Sequence, residues 1–198
     1  MNVPNKITLG RILLSIVTLV ILILPWYQLG IVFPVFTIFG KIIVDTKYFV
    51  AGILFIIASV TDMLDGYIAR STNQVTDFGK VMDAIADKIL VNGVLIILAY
   101  QGFIHVAVPV IIITRDTIVD SIKMASGNKG KVVGASIIGK LKTICMMVGV
   151  SFMLFYNLPF EIIRIPLADI LILLACILSV ISGCQYYFNA KNLIFKEK

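Results

Sequence analysis

Long apolar runs separated by short polar stretches dominate the chain. A helix needs roughly 17 to 25 mostly apolar residues to cross a bilayer, and the pattern predicts six such helices. We place them near residues 9–27, 47–70, 83–100, 103–122, 138–158 and 167–188. Because no linker or repeat interrupts the series, the pattern predicts a single domain over residues 1–198, built as one all-α bundle.

The composition supports an integral membrane protein. The 198 residues are 60% hydrophobic and 14% charged, and the mean hydropathy is +1.04. Soluble domains carry about 25% charged residues, so an ordinary soluble domain is excluded.

The basic residues predict the orientation in the membrane. With six crossings both termini lie on one side, and of the 17 Lys and Arg residues only Lys41, Lys47 and Arg164 then lie on the other. Cytoplasmic loops are enriched in Lys and Arg, so we predict cytoplasmic termini and a multi-pass protein of the cytoplasmic membrane. The net charge of +6 is explained by this topology and by anionic lipid, and no nucleic-acid partner is predicted.

Four aspartates interrupt this apolar chain within one short segment. Asp62 and Asp65 are three residues apart on the second predicted helix, and Asp83 and Asp87 are four apart on the third. Each pair therefore lies on one helix face. The connection over 71–78 is polar enough to be a turn, so the two helices can lie antiparallel with their acidic faces opposed. We predict that the four carboxylates converge on the cytoplasmic side.

Such a cluster needs a stabilising partner. An ionised Asp at the centre of a span costs about 2.5–3.5 kcal/mol, and neighbouring carboxylates repel one another. A hard divalent cation prefers oxygen ligands and is commonly shared with substrate phosphates. Gly66 and Gly79 lie on the same faces, where the lack of a side chain lets a ligand approach; helix packing is the alternative explanation for these glycines. Solvated charges at helix ends are the alternative for the aspartates.

Two segments that contain these aspartates resemble the signature of a known family. The segments "DMLDGYIAR" (62–70) and "GKVMDAIAD" (79–87), eight residues apart, resemble the signature of the CDP-alcohol phosphatidyltransferases at each of its fixed positions. The resemblance implies a six-helix membrane enzyme, acting as a homodimer. It would move a phosphatidyl group from CDP-diacylglycerol to an alcohol and release CMP.

The resemblance also implies roles for the signature residues. The implied metal ligands are Asp62, Asp65 and Asp83. Asp87 would complete a site for two Mg²⁺ or Mn²⁺ ions and act as the general base on the acceptor hydroxyl. The residues implied to bind the CDP group are Asp62, Gly66, Ala69, Arg70 and Gly79.

A second cluster of charge concerns the acceptor. Arg115 and Lys123 interrupt an apolar helix, where a cation needs an anionic partner, and Lys140 and Lys142 follow at the start of the next helix. A phosphate on the acceptor is one candidate partner. The other candidate is a carboxylate of the same helix, at Asp116 or Asp120. We predict an acceptor that carries a phosphate, held by Arg115, Lys123, Lys140 and Lys142, whereas Lys129 and Lys131 lie in a polar loop.

Two further segments resemble one bacterial branch of the family. "VPNKITLGR" (3–11) and "GKLKT" (139–143) are similar to segments of the members that make phosphatidylglycerophosphate. This resemblance implies that the acceptor is sn-glycerol 3-phosphate. Related members often carry Arg-Glu and a later Arg where this chain has Arg115, Asp116 and Lys123. A Lys supplies the charge without the bidentate fork of an Arg. The alternatives are another acceptor such as inositol phosphate, a membrane prenyltransferase, or a divalent-cation transporter.

Overall fold

The computed structural model describes residues 3–38, 40, 42–71, 76–128 and 136–194. Six α-helices account for most of this part of the chain. They are α1 (Val3–Ile23), α2 (Thr46–Ser71), α3 (Asp77–Tyr100), α4 (Ala107–Asn128), α5 (Ile137–Leu154) and α6 (Leu167–Ile194). Two short 3-10 turns, Trp26–Leu29 and Phe160–Ile163, follow α1 and α5. The number and order of the predicted helices are confirmed.

Four of the described helices, α1, α2, α5 and α6, are long and apolar enough to cross a membrane. Charged residues shorten the uninterrupted apolar runs of α3 and α4, including Asp83, Asp87 and Lys88 on α3 and both Arg115 and Asp116 on α4. The chain is thus a mostly helical protein with a membrane-type composition. That α3 and α4 also cross stays a prediction.

A β-hairpin between α1 and α2 departs from the all-α prediction. Strand β1 (Val35–Ile38) pairs antiparallel with β2 (Ile42–Asp45), and Val35 lies opposite Asp45. The Asp45 backbone N–H donates to the Tyr156 hydroxyl oxygen at 3.1 Å, which fastens the hairpin to the end of α5. The strands are four residues long and rich in β-branched side chains, which favour strands. Their alternation is too brief to stand out in an apolar chain.

Helix α1 lies between α2 and α3. Both of these helices pack extensively against α1 and touch each other at few points. The acidic faces of α2 and α3, which we predicted to oppose each other, do meet where Asp62, Asp65 and Asp83 come together. Elsewhere the two helices have few contacts with each other. Close packing of α1 with α3 depends on Gly93, because a Cβ there would lie 2.6 Å from a methyl carbon of Leu19.

The second half of the bundle is built on α6, which packs against both α4 and α5. Small, aliphatic and aromatic side chains, including Ala51, Phe55, Leu95 and Val150, fill the centre of the molecule. Large apolar side chains cover the outside. Examples are Leu13, Ile23, Ile144, Ile170 and Leu173. Monomeric soluble proteins rarely expose continuous apolar surface of this kind, so the exterior suits contact with lipid.

Candidate active site

Three of the four predicted carboxylates meet near one end of the bundle. One oxygen from each of Asp62, Asp65 and Asp83 lies within 4.8 Å of the others. Asp62 and Asp65 share a face of α2 because they are three residues apart, and Asp83 comes from α3. Asp65 is 3% exposed, whereas Asp62 is half-buried and Asp83 is exposed. We call these three residues the acidic cluster.

The donor set of the acidic cluster fits a hard divalent cation. Carboxylate oxygens are the ligands that Mg²⁺ and Mn²⁺ prefer. The three carboxylates carry more negative charge than the one guanidinium that pairs with two of them can balance. Because Asp83 is exposed, the cluster is open on one side.

Arg11 of α1 lies beneath the acidic cluster. Its Nη1 pairs with Asp62 Oδ1, and its Nη2 pairs with Asp83 Oδ1 at 2.5 Å and also donates to the Asp83 carbonyl oxygen at 3.2 Å. No role in the site was predicted for Arg11 from the sequence. The available signal was a cation inside an apolar helix, which requires an anionic partner.

The first turns of α1 also hold the neighbouring carboxylate and the start of α3. The Thr8 hydroxyl donates to Asp65 Oδ2 at 3.0 Å. Asn5 Nδ2 donates to Thr76 Oγ1 at 3.2 Å, and that oxygen accepts the Gly79 backbone N–H at 3.0 Å as the N-cap of α3. Segment 3–11, which resembles one branch of the family, therefore contacts the acidic cluster and the start of α3 through its side chains.

The residues predicted to bind the CDP group lie on α2 and α3, the two helices that carry this cluster. Gly66 follows Asp65 directly on α2 and is half-buried. A Cβ on Gly79 would lie 2.7 Å from Asn5 Oδ1, so the absence of a side chain at this position makes room for Asn5. Ala69 and Arg70 lie in the last turns of α2, and their side chains are outside the described part of the structure. The role of these residues in nucleotide binding stays a prediction.

Asp87 lies one helical turn beyond Asp83 on α3 and lines a neighbouring cavity. Within the described residues the close group of carboxylates contains Asp62, Asp65 and Asp83 without Asp87. Its predicted roles as fourth metal ligand and as general base therefore stay predictions. Its position places a carboxylate between the acidic cluster and the cavity.

This cavity brings together the four cations predicted to hold an acceptor. It measures about 250 Å³ and is lined by α3, α4, α5 and α6. Its walls include Arg115, Lys123, Lys140 and Lys142 as well as Asp87. We call it the basic cavity. Two of these cations belong to α4 and two to α5, and in the folded protein all four line the same cavity.

Two of the cations share a carboxylate. Lys142, which is 4% exposed, donates through Nζ to Asp116 Oδ1 at 2.8 Å and to Oδ2 at 2.6 Å. Arg115 donates through Nη1 to Asp116 Oδ1 at 2.7 Å. Asp116, one of the two candidate carboxylate partners, is thus the partner of Arg115. The other candidate, Asp120, pairs with Lys88.

The other two cations have a different environment. Within the described part of the chain, neither Lys123 nor Lys140 pairs with a carboxylate, which leaves both ammonium groups available to an anion. Lys123 Nζ lies 5.2 Å from the centre of the Tyr186 ring, and the Tyr186 hydroxyl accepts the Ser136 backbone N–H at 2.9 Å. Tyr186 was not predicted from the sequence, because one aromatic in the run Tyr186-Tyr187-Phe188 gives no sign that it contacts a distant lysine. Lys129 and Lys131 lie outside the described residues.

The helical fold, the acidic cluster and the basic cavity agree with the class of membrane transferase that the signature predicts. Residues 1–181 match the CDP-alcohol phosphatidyltransferase family. The chain belongs to this family and is a transferase.

Two relatives of the chain share one name. The chain is 39% identical over 188 residues to a CDP-diacylglycerol–glycerol-3-phosphate 3-phosphatidyltransferase of Bacillus subtilis, covering 94% of this chain and 93% of that protein. A Haemophilus influenzae protein of the same name is 35% identical over 196 residues, covering 96% of this chain and 94% of the relative.

A solved structure shares the fold. The Mycobacterium tuberculosis phosphatidylinositol phosphate synthase in complex with manganese and citrate has a TM-score of 0.64 and 21% identity, covering 96% of this chain and 83% of that one. The same protein has been solved with CDP-DAG bound, with a TM-score of 0.63.

The contribution of the Asp116 ion pairs to the stability of the protein can be tested by mutation. Asp116→Asn leaves Lys142 and Arg115 without their charge partner, and breaking a buried ion pair costs about 3–5 kcal/mol. We expect a clear fall in the thermal unfolding midpoint of the detergent-solubilised protein. Asp120→Asn is the matched control, because its partner Lys88 is 46% exposed and pairs of this kind contribute about 0–1 kcal/mol. Equal shifts in both variants would show that the Asp116 network does not stabilise the cavity.

Proposed function

We propose that the protein transfers the phosphatidyl group of CDP-diacylglycerol to sn-glycerol 3-phosphate, giving phosphatidylglycerophosphate and CMP. The observation that carries this proposal is the basic cavity, which places four cations and Asp87 beside the acidic cluster. A phosphate-bearing acceptor matches these cations, whereas a neutral alcohol does not need them. The name shared by the relatives supports the same acceptor.

The acidic cluster is the donor side of the proposed reaction. Asp62, Asp65 and Asp83 would hold Mg²⁺ or Mn²⁺, and Asp87 would add a fourth carboxylate so that two ions are bound. When bound, the metal would neutralise diphosphate charge and make CMP a better leaving group. Arg70, which follows on α2, would add a forked donor to the phosphate oxygens.

The basic cavity is the acceptor side. Lys123 and Lys140 would bind the phosphate of glycerol 3-phosphate, with Arg115 and Lys142 contributing positive charge from their network with Asp116. Asp87 would take the proton of the acceptor hydroxyl as that oxygen bonds to the phosphatidyl phosphorus and the bond to CMP breaks. This is a direct in-line displacement without a covalent enzyme intermediate.

The membrane arrangement completes the proposal. We infer that all six helices cross the cytoplasmic membrane, that both termini are cytoplasmic and that the site faces the cytoplasm. The distribution of Lys and Arg supports this orientation, and the apolar exterior supports burial in lipid. The acyl tails of the donor would stay in the bilayer while the water-soluble acceptor arrives from the cytoplasm. We further propose a single domain over residues 1–198 that acts as a homodimer.

A direct assay tests the reaction. Purified protein with CDP-diacylglycerol, Mg²⁺ and labelled glycerol 3-phosphate should release CMP and form labelled lipid in equal amounts. Chelation by EDTA should abolish both products, and added Mg²⁺ should restore them. Faster turnover with inositol phosphate would reassign the acceptor within the family. Turnover with prenyl diphosphate, or metal flux in proteoliposomes, without CMP release would support the other two alternatives and refute the proposal.

The base is tested by Asp87→Asn. The amide keeps the shape of the side chain but loses the proton acceptor and one negative charge. We therefore expect turnover to be nearly abolished while CDP-diacylglycerol still binds, measured as CMP release and as equilibrium binding of the donor. Asp120→Asn, which alters another carboxylate of the same cavity, should keep most of the activity. Near-normal turnover in Asp87→Asn would remove this residue from the mechanism.

The acceptor site is tested by Lys123→Gln and Lys140→Gln. Each change removes a hydrogen bond to a charged group, worth about 1.5–3 kcal/mol, so the KM for glycerol 3-phosphate should rise roughly ten- to a hundredfold. The KM for CDP-diacylglycerol should change little. Lys191→Gln removes an exposed charge near the end of α6 and should alter neither value. Equal rises in both KM values would mean that the lysines act as a general lipid-binding patch.

A further inference from the structure

Arg11 joins the two helices that carry the acidic cluster. Asp62 lies on α2 and Asp83 on α3, and these helices contact each other at few points because α1 lies between them. The guanidinium of Arg11 pairs with both carboxylates. The spacing between the two helices at the cluster is therefore bridged by this side chain.

The partners in these ion pairs differ in their exposure to solvent. The Arg11 side chain is 1% exposed, whereas the side chains of Asp62 and Asp83 are 32% and 51% exposed. The guanidinium thus contacts the carboxylates from the protein side. A cation arriving from the exposed side would meet carboxylates that are already oriented, without displacing Arg11.

Arg11 is itself held in place. The Ser15 hydroxyl donates to the Arg11 carbonyl oxygen at 2.8 Å, and α1 packs along the length of both neighbouring helices. One turn before Arg11, Thr8 donates to Asp65, the third carboxylate of the cluster. Helix α1 therefore touches all three members of the acidic cluster through two side chains on one face.

We propose that Arg11 is a positioning residue for a divalent cation, which it serves by fixing Asp62 relative to Asp83. This inference rests on the proposed metal-binding role of the acidic cluster. The fork of a guanidinium can bind two carboxylates at once, which the single ammonium of a Lys does less well. Without the bridge, the repulsion between close carboxylates pushes Asp62 and Asp83 apart. Mg²⁺ and Mn²⁺ then lose the short, regular oxygen cage that they require, and the larger Ca²⁺ is affected less.

The test measures Mn²⁺ binding directly, without substrate. Free and bound Mn²⁺ are distinguished by electron paramagnetic resonance of the purified full-length protein in detergent. Loss of an outer-shell partner of a metal ligand typically weakens binding ten- to a hundredfold, so we expect a loss of this size for Arg11→Gln and a smaller one for Arg11→Lys. Ca²⁺ should compete with Mn²⁺ more effectively in both variants than in the unmutated protein, and most effectively in Arg11→Gln. Lys6→Gln is the control, because it removes one exposed positive charge from the same helix and should bind Mn²⁺ normally.

Each outcome of this experiment has a clear meaning. An unchanged Mn²⁺ affinity in both Arg11 variants, even with a lower unfolding midpoint in EDTA, would make Arg11 a structural residue and overturn the inference. Tighter binding in Arg11→Gln would also overturn it, because Arg11 would then act mainly by repelling the metal. Should Arg11→Gln not fold, the partial loss in Arg11→Lys decides the matter. If the unmutated protein binds no Mn²⁺, the metal-binding part of the proposed function fails, and the inference fails with it.

Discussion

The rest of the site depends on one buried ion-pair network, in which Arg11 pairs with Asp62 and Asp83. A buried guanidinium in an apolar helix is costly unless it is fully paired, and close carboxylates are costly unless a cation separates them. Each group therefore stabilises the other. This mutual attraction holds α1 against both α2 and α3 at the acidic cluster, where one oxygen from each of the three carboxylates lies within 4.8 Å of the others. The same network leaves negative charge on the exposed side, where a divalent cation and a diphosphate could meet.

Helix α3 connects the two halves of the proposed chemistry. Asp83 belongs to the acidic cluster, and Asp87, one turn later, lines the basic cavity. Side chains four residues apart lie on the same side of a helix, so a single helix supplies a carboxylate to each site and sets the distance between them. In the proposed reaction, the donor phosphates and the acceptor hydroxyl would meet along this turn. A shift of α3 would disturb both sites together.

The basic cavity separates structural charge from charge that is free to bind. Asp116 pairs with Lys142 and Arg115 and fixes the cavity wall. Within the described residues Lys123 and Lys140 keep their ammonium groups free of carboxylates, so they are the better candidates for holding an anion. Of the two partners considered for the cations, the carboxylate is observed, because Asp116 pairs with Arg115 and Lys142. A phosphate bound by the exposed Lys123 and Lys140 stays a proposal.

The membrane character, the six helices and the residues of the signature could all be predicted from the sequence. These follow from local properties, since apolar run length and helical periodicity need no knowledge of distant contacts. Which distant residues are in contact could be seen only in the folded structure. The sequence gives no sign that α1 separates α2 from α3, that Arg11 bridges Asp62 and Asp83, or that Tyr186 lies under Lys123. Such contacts join residues 50 or more positions apart, and the way the helices pack, rather than any local pattern, selects them. The β-hairpin was missed for a related reason, because two four-residue strands become recognisable only when they pair.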